Sequence, residues 1–240
     1  MHVELLESLD SEDNRGVRAW RDVVDEVHRT DGKGERAKAR QDFVDSHANT
    51  IRLLGAADYH HHNLAQIYQP DITPMDKLTT IWVTIEAESI ILVLYGALDS
   101  LMQEVNLAYK FGIDENAVHI YHRKDHQSEP RADCARCELG KQRDGLAEYF
   151  EEELSSGWFE GFRQLRNRIT HRRLLATNTN FTVGRPTVYI EIPADPRAIR
   201  FTEQSRQRLE ITAYCQASRT NVSDVMSRTY EALVQKVKNI

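Results

Sequence analysis

The chain has 240 residues, 40% hydrophobic and 28% charged, and carries a net charge of −6. That composition describes a globular protein large enough to bury a core unaided, and excludes a disordered chain or a polycation that coats nucleic acid. Three cysteines, two of them in a CxxC pair, argue against a secreted disulfide framework. The acidic N-terminus lacks the basic start of a signal peptide, so the cytoplasm is the expected compartment. The longest nearly apolar run, Ile90 to Leu98, falls short of a bilayer's width, and no membrane association is expected.

In chain order, Val17, Trp20, Val24 and Val27 recur at helical spacing from about Asn14 to Thr30, and Gly32 and Gly34 break the pattern. A long helix is predicted from about Glu35 to Tyr68 through Phe43, Ile51, Leu54, Leu64 and Ile67, with Pro70 ending it. Thr73-Pro74-Met75-Asp76 reads as a helix start, with threonine as cap, proline in the first position and aspartate three residues on. The helix it opens, to about Tyr109, is apolar on most sides and reads as a central core helix. Glu86 and Glu88 lie within it and are expected to point outward unless partnered.

Residues 110–143 change character and suggest a long loop or inserted subdomain. Helical spacing resumes near Asp144 with Leu146, Tyr149, Phe150 and Leu154, then after Gly157 with Trp158, Phe162, Leu165 and Ile169. From 181 to 193, Val188, Ile190 and Ile192 alternate with Tyr189 and Glu191, which predicts a small hairpin. A last helix is predicted from about Glu203, through Val222, Met226 and Leu233. The expected fold is all-α, a single helical domain over 1–240 with one inserted β-hairpin.

Between residues 163 and 173 stand five arginines, Arg163, Arg166, Arg168, Arg172 and Arg173, and no lysine. A run of charges is ordinarily a solvated helix face. Arginine without lysine in an acidic chain points instead to phosphate, which guanidinium groups bind bidentately. Within the run, Arg166-Asn167-Arg168-Ile169-Thr170-His171 sets an arginine and a histidine five positions apart. Cleaving RNA without a metal needs a group to take the 2′-hydroxyl proton, one to stabilise the phosphorane and one to protonate the leaving oxygen. Histidine side chains exchange protons near neutrality, arginine stabilises phosphoryl charge, and the asparagine amide can orient a neighbour.

This motif, with its polar residue after the arginine and its aromatic-rich helix, resembles the signature of the HEPN family. A second likeness is the run Gly96-Ala97-Leu98-Asp99-Ser100-Leu101 continuing through Asn106. The resemblance covers about Thr73 to Leu175. It implies a HEPN-like helical bundle acting as a metal-independent endoribonuclease, in a toxin or defence setting, with Arg166, His171 and Asn167 catalytic and Arg163, Arg168, Arg172 and Arg173 gripping RNA. The resemblance also implies a homodimer whose two motifs face one cleft. Positions five apart diverge by about 140° around a straight helix. Either the helix ends or bends near Ile169-Thr170, or two chains build one site. In family toxins silenced by a nucleotidyltransferase antitoxin, a tyrosine follows the histidine by two; here Arg173 stands there, and a neutralising partner is unidentified. The alternative reading is a non-catalytic scaffold that binds RNA or protein.

His122, His126, Cys134 and Cys137 offer four ligands of the kind structural zinc takes, but a lone CxxC with non-standard histidine spacing favours an unligated loop. His60-His61-His62 reads as surface and boundary residues, Cys215 as a small buried hydrophobe, and Trp20, Trp82 and Trp158 as core aromatics. No Gly-rich phosphate loop, HExxH pair or nucleophile elbow occurs, and no cofactor is expected.

Overall fold

The computed structural model describes residues 35–69, 76–120, 135–142, 145–171, 177–182, 185–193 and 206–237. Among them are the helices α1 (Glu35–Ile67), α2 (Lys77–Tyr109), α3 (Ala135–Gln142), α4 (Gly145–Leu154), α5 (Gly157–Thr170) and α6 (Ile211–Val237), with a 3₁₀ turn at Glu115–Ala117. Three strands, β1 (Thr177–Thr182), β2 (Arg185–Pro193) and β3 (Arg206–Glu210), form an antiparallel sheet in that order. The protein is therefore mostly helical with a small sheet. The segment expected as a helix at 14–30 lies outside the described residues.

One expectation is corrected. The sheet has a third strand, pairing Ile190 with Leu209, where the last helix was expected to begin. Arg206-Gln207-Arg208-Leu209-Glu210 carries one apolar residue, too little for either periodicity to declare itself. Strand passes straight into helix because the Glu210 carboxylate accepts from the Thr212 and Ala213 amides at 3.0 and 2.7 Å, capping α6. Within 110–143, expected as a long loop or inserted subdomain, the described residues hold α3 and the 3₁₀ turn. Thr73, expected as the cap of α2, lies outside the described residues, and the cap seen is Asp76. Its carboxylate accepts from the Thr79 amide at 2.6 Å, which holds that acid below the usual carboxylate range.

The chain forms two compact units. One comprises 1–55, 96–152 and 222–240, the other 56–95 and 153–221, so α1, α2 and α6 contribute to both.

In the first unit, Phe43, Leu98, Leu101, Val105, Phe150, Met226 and Leu233 are buried. The Gly96–Asn106 run is mostly fastening. Ser100 Oγ donates to the Ser46 carbonyl at 3.1 Å, and Asn49 Nδ2 donates to Ser100 Oγ at 3.1 Å. Asp99 accepts from the Ile120 amide at 2.9 Å, and the Asn106 side chain clamps Ile113 through both its N–H and its carbonyl. Glu104 is fully buried. It accepts from Thr50 Oγ1 at 2.6 Å and from the Tyr230 hydroxyl at 3.2 Å, and it lies 3.1 Å from His47 Nδ1. At the C-terminus of α2, Lys110 adopts φ 57°, while the Phe111 amide returns to the Asn106 carbonyl and the Lys110 amide to that of Leu107. This is a Schellman closure with lysine where glycine is favoured.

In the second unit, one face of α2 (Val83, Ala87, Ile90, Ile91 and Leu94) is wholly buried. The sheet contributes Val188 and Ile190, and the Tyr68 hydroxyl accepts from the Val188 amide at 2.9 Å. Glu86 is not outward-facing but paired with His60 at 2.7 Å. Arg219 grips Asp58 through two hydrogen bonds of 2.7 and 3.1 Å. Beside that pair, burial pushes the His61 imidazole below its ordinary range, and its Nε2 has no hydrogen-bond partner among the described residues. Two core assignments are corrected here. Trp82 is half exposed and Leu92 is exposed, so α2 is not apolar-buried all round.

Candidate functional site

The second unit holds the arginine–histidine motif on α5, whose apolar residues Phe159, Phe162 and Leu165 are buried at helical spacing. They pack with α2, where the buried Tyr95 ring stacks against Phe159 and tilts over Phe162, with centroids 6.2 and 5.9 Å apart. Trp158 is only partly buried and anchors the first turn of α5 by donating from Nε1 to Glu153 at 2.6 Å.

This aromatic bed positions Arg166. Its guanidinium carbon lies 4.8 Å from the Tyr95 ring centroid, and its Nη1 donates to Asn167 Oδ1 at 3.2 Å. A cation over a tyrosine face is attracted by the ring quadrupole, and the amide fixes the plane of the guanidinium. Arg166 is thus held from two sides while remaining partly exposed. Asn167 orients the arginine and not the histidine.

His171 is the C-cap of α5. Its φ and ψ are −87° and 22°, and its amide still bonds the Asn167 carbonyl at 3.1 Å. The helix does end at Thr170, as one sequence alternative required, but the hydrogen bond keeps His171 in register with the last turn. The angular divergence from Arg166 is therefore not removed. The imidazole is exposed and makes no hydrogen bond among the described residues.

Of the arginines expected to grip RNA, Arg163 is engaged by Glu160, one turn earlier, through a two-pronged ion pair that includes an Nε–Oε2 bond of 2.9 Å. The signal was present in the sequence as an acid three positions before the arginine. Arg168 is partly buried on the last turn and is already engaged by a neighbour. Arg172 and Arg173 lie outside the described residues, as do His122, His126 and Cys134. Cys137 is a part-buried cysteine on α3, and no cluster of metal-ligating side chains occurs among the described residues. Cys215 is buried, and burial pushes its thiol far above the ordinary range, leaving it unreactive.

Among the described residues, α2 alone is long and apolar enough, by length and composition, to cross a bilayer. Half of its most apolar stretch is buried within the protein, and Glu86 and Glu104 on it are both paired. Comparison of the chain with family models, curated proteins and solved structures gives no match.

Proposed function

We propose that the protein is a HEPN-type, metal-independent endoribonuclease that works as a toxin or defence effector on cellular RNA in the cytoplasm. The observation that carries this reading is the pairing of a fixed guanidinium with a free imidazole at one helix end. Arg166 is braced by Tyr95 and Asn167, and His171 projects from the C-cap into solvent. A braced cation suits a charge that develops in place on a phosphorane. An unencumbered imidazole can take a proton from a 2′-hydroxyl or deliver one to a leaving 5′-oxygen.

The step forms an O2′–P bond, breaks the P–O5′ bond and moves one proton on and one off. One imidazole acts as base and another as acid. Because the Arg166 and His171 side chains diverge on α5, the reading places two copies of the motif at one cleft, each supplying one role. The products are a 2′,3′-cyclic phosphate and a 5′-hydroxyl. RNA incubated with purified protein in EDTA is expected to be cut to those ends, with His171→Ala inactive. Cleavage undiminished in both Arg166→Ala and His171→Ala removes the site.

The same divergence favours a second reading, a scaffold that binds RNA or protein without cutting. It is distinguished by steeply salt-dependent binding with no cleavage of any RNA.

A further inference from the structure

The outer face of α2 in the second unit is uncovered by other described residues. Leu78, Ile85 and Leu92 are exposed by 60%, 42% and 37%, and Ile81 and Trp82 beside them are also open. The first three stand seven residues apart, the repeat by which helices pack side by side along a seam. Over this length the seam runs about 21 Å, and the drift of a straight helix from a seven-residue repeat is only about 20° per repeat. Between Ile85 and Leu92 stand the part-buried Glu88 and Ser89, three and four positions on, so one carboxylate borders the row. The opposite face of the same segment is wholly buried.

We infer that this seam is the docking surface for a second copy of the chain, related by a two-fold axis passing near Ile85. Three considerations select that occupant. A row spaced symmetrically about its middle residue is self-complementary, as a two-fold interface requires. Ile85 of one copy meets Ile85 of the other whether the helices pair parallel or antiparallel. The exposed apolar side chains amount to roughly 400–500 Å², near the upper end of a monomer's largest patch and over half of the ~800 Å² each partner gives a stable dimer. A lipid surface fits less well. Helices that lie on membranes carry lysine and arginine on the polar face, whereas α2 has one lysine, at its first residue, in a chain of net charge −6.

The inference stands on the seam and not on the ribonuclease reading. That reading draws on it in one way. Parallel pairing brings both copies of Tyr95, with Arg166 over each, to the same end of the seam, whereas antiparallel pairing sets them about 30 Å apart at ~1.5 Å per residue.

The test is the mass of the full chain in solution by light scattering and sedimentation at micromolar concentrations. Twice the chain mass is expected for the wild type and the single chain mass for Ile85→Glu. Circular dichroism should show Ile85→Glu melting as the wild type does, because the position is exposed. Ile85→Cys, in a background with Cys134 and Cys137 changed to serine, should close an interchain disulfide on oxidation. A monomeric wild type, an Ile85→Glu variant as dimeric as the wild type, or a dimer in which Ile85→Cys fails to cross-link would overturn the inference. So would a chain that floats with phosphatidylcholine–phosphatidylserine vesicles through this face, with flotation lost in Ile85→Glu. Leu92→Cys in the same background separates the two proposals. A Leu92 disulfide indicates parallel pairing and supports both. Cross-linking at Ile85 without any at Leu92 keeps the self-association and removes the composite site.

Discussion

Glu104 gives the most quantitative test of how the first unit is held together. Its carboxylate is sealed from solvent and gathers Thr50, Tyr230 and His47 from α1 and α6, and the rings of His47 and Tyr230 meet edge to face at 5.5 Å. Burial and the adjacent carboxylate hold the Tyr230 phenol far above its ordinary pKa, so it is a fixed donor. In Glu104→Ala the Tyr230 hydroxyl and the imidazole lose the carboxylate they share, while Thr50 keeps the Ser46 carbonyl at 3.2 Å. A hydrogen bond to a charged group contributes about 1.5–3 kcal/mol. Two such bonds lost, with the void left by the side chain, give a destabilisation of about 3–5 kcal/mol. Glu104→Gln keeps an oxygen for Thr50 and Tyr230 and loses only the charge and the contact to His47, a cost of about 1–2 kcal/mol.

Urea unfolding followed by circular dichroism measures both variants against the wild type. The ordering matters more than either value. A Glu104→Ala protein within about 1 kcal/mol of wild type, against the ~5–15 kcal/mol available to a typical domain, would refute the reasoning. So would a glutamine variant as damaged as the alanine one, since the loss would then come from charge alone and not from the lost hydrogen bonds.

Four further outcomes are expected. Lys110→Gly relieves the left-handed backbone at the end of α2 and should stabilise by about 0.5–1 kcal/mol; a lower urea midpoint would contradict that account. His61 has a folded pKa below 6.5, chiefly from burial, with Arg219 lowering it further and Asp58 opposing. Its contribution is therefore fully present above pH 6.5 and is lost as pH falls through the folded value. The stability of His61→Leu relative to wild type should rise between pH 7.5 and 5.5, and a constant difference would refute the assignment. On the ribonuclease reading, Arg166→Lys keeps the charge but loses the planar stack on Tyr95, so kcat/KM should fall about tenfold or more. Arg163→Ala, already neutralised by Glu160, should leave the log–log salt slope of RNA binding unchanged, against a loss of about 0.9 for a true phosphate contact.

The long helices were legible because burial follows spacing. Of the apolar positions the periodicity marks, Phe43, Leu54 and Leu64 on α1 and Phe162 and Leu165 on α5 are buried, while Ile51, Ile67, Trp158 and Ile169 are partly so. What stayed hidden depended on distant partners. Glu86 and Glu88 drew attention in α2, whereas the wholly buried acid is Glu104, because its partner His47 lies 57 positions away. Hydrophobicity likewise marks what must leave water, not which chain removes it, so Trp82 and Leu92 read as core. The third strand escaped because it has almost no apolar side.

The candidate site shows the same division between local and distant information. Helical spacing alone states that Arg166 and His171 diverge, and the last hydrogen bond of α5 preserves that divergence at the cap. Spacing says nothing of Tyr95, which comes from another helix and changes what Arg166 can do. A guanidinium laid on a buried ring and tied to Asn167 has lost much of its rotamer freedom before any ligand arrives. Such ordering lowers the cost of binding an anion there. His171 has been given no such support, and a proton carrier can use that freedom only if something else fixes the substrate. The asymmetry locates the missing part. Either a second copy supplies the constraint across the seam, or the arginine binds and the histidine does no chemistry.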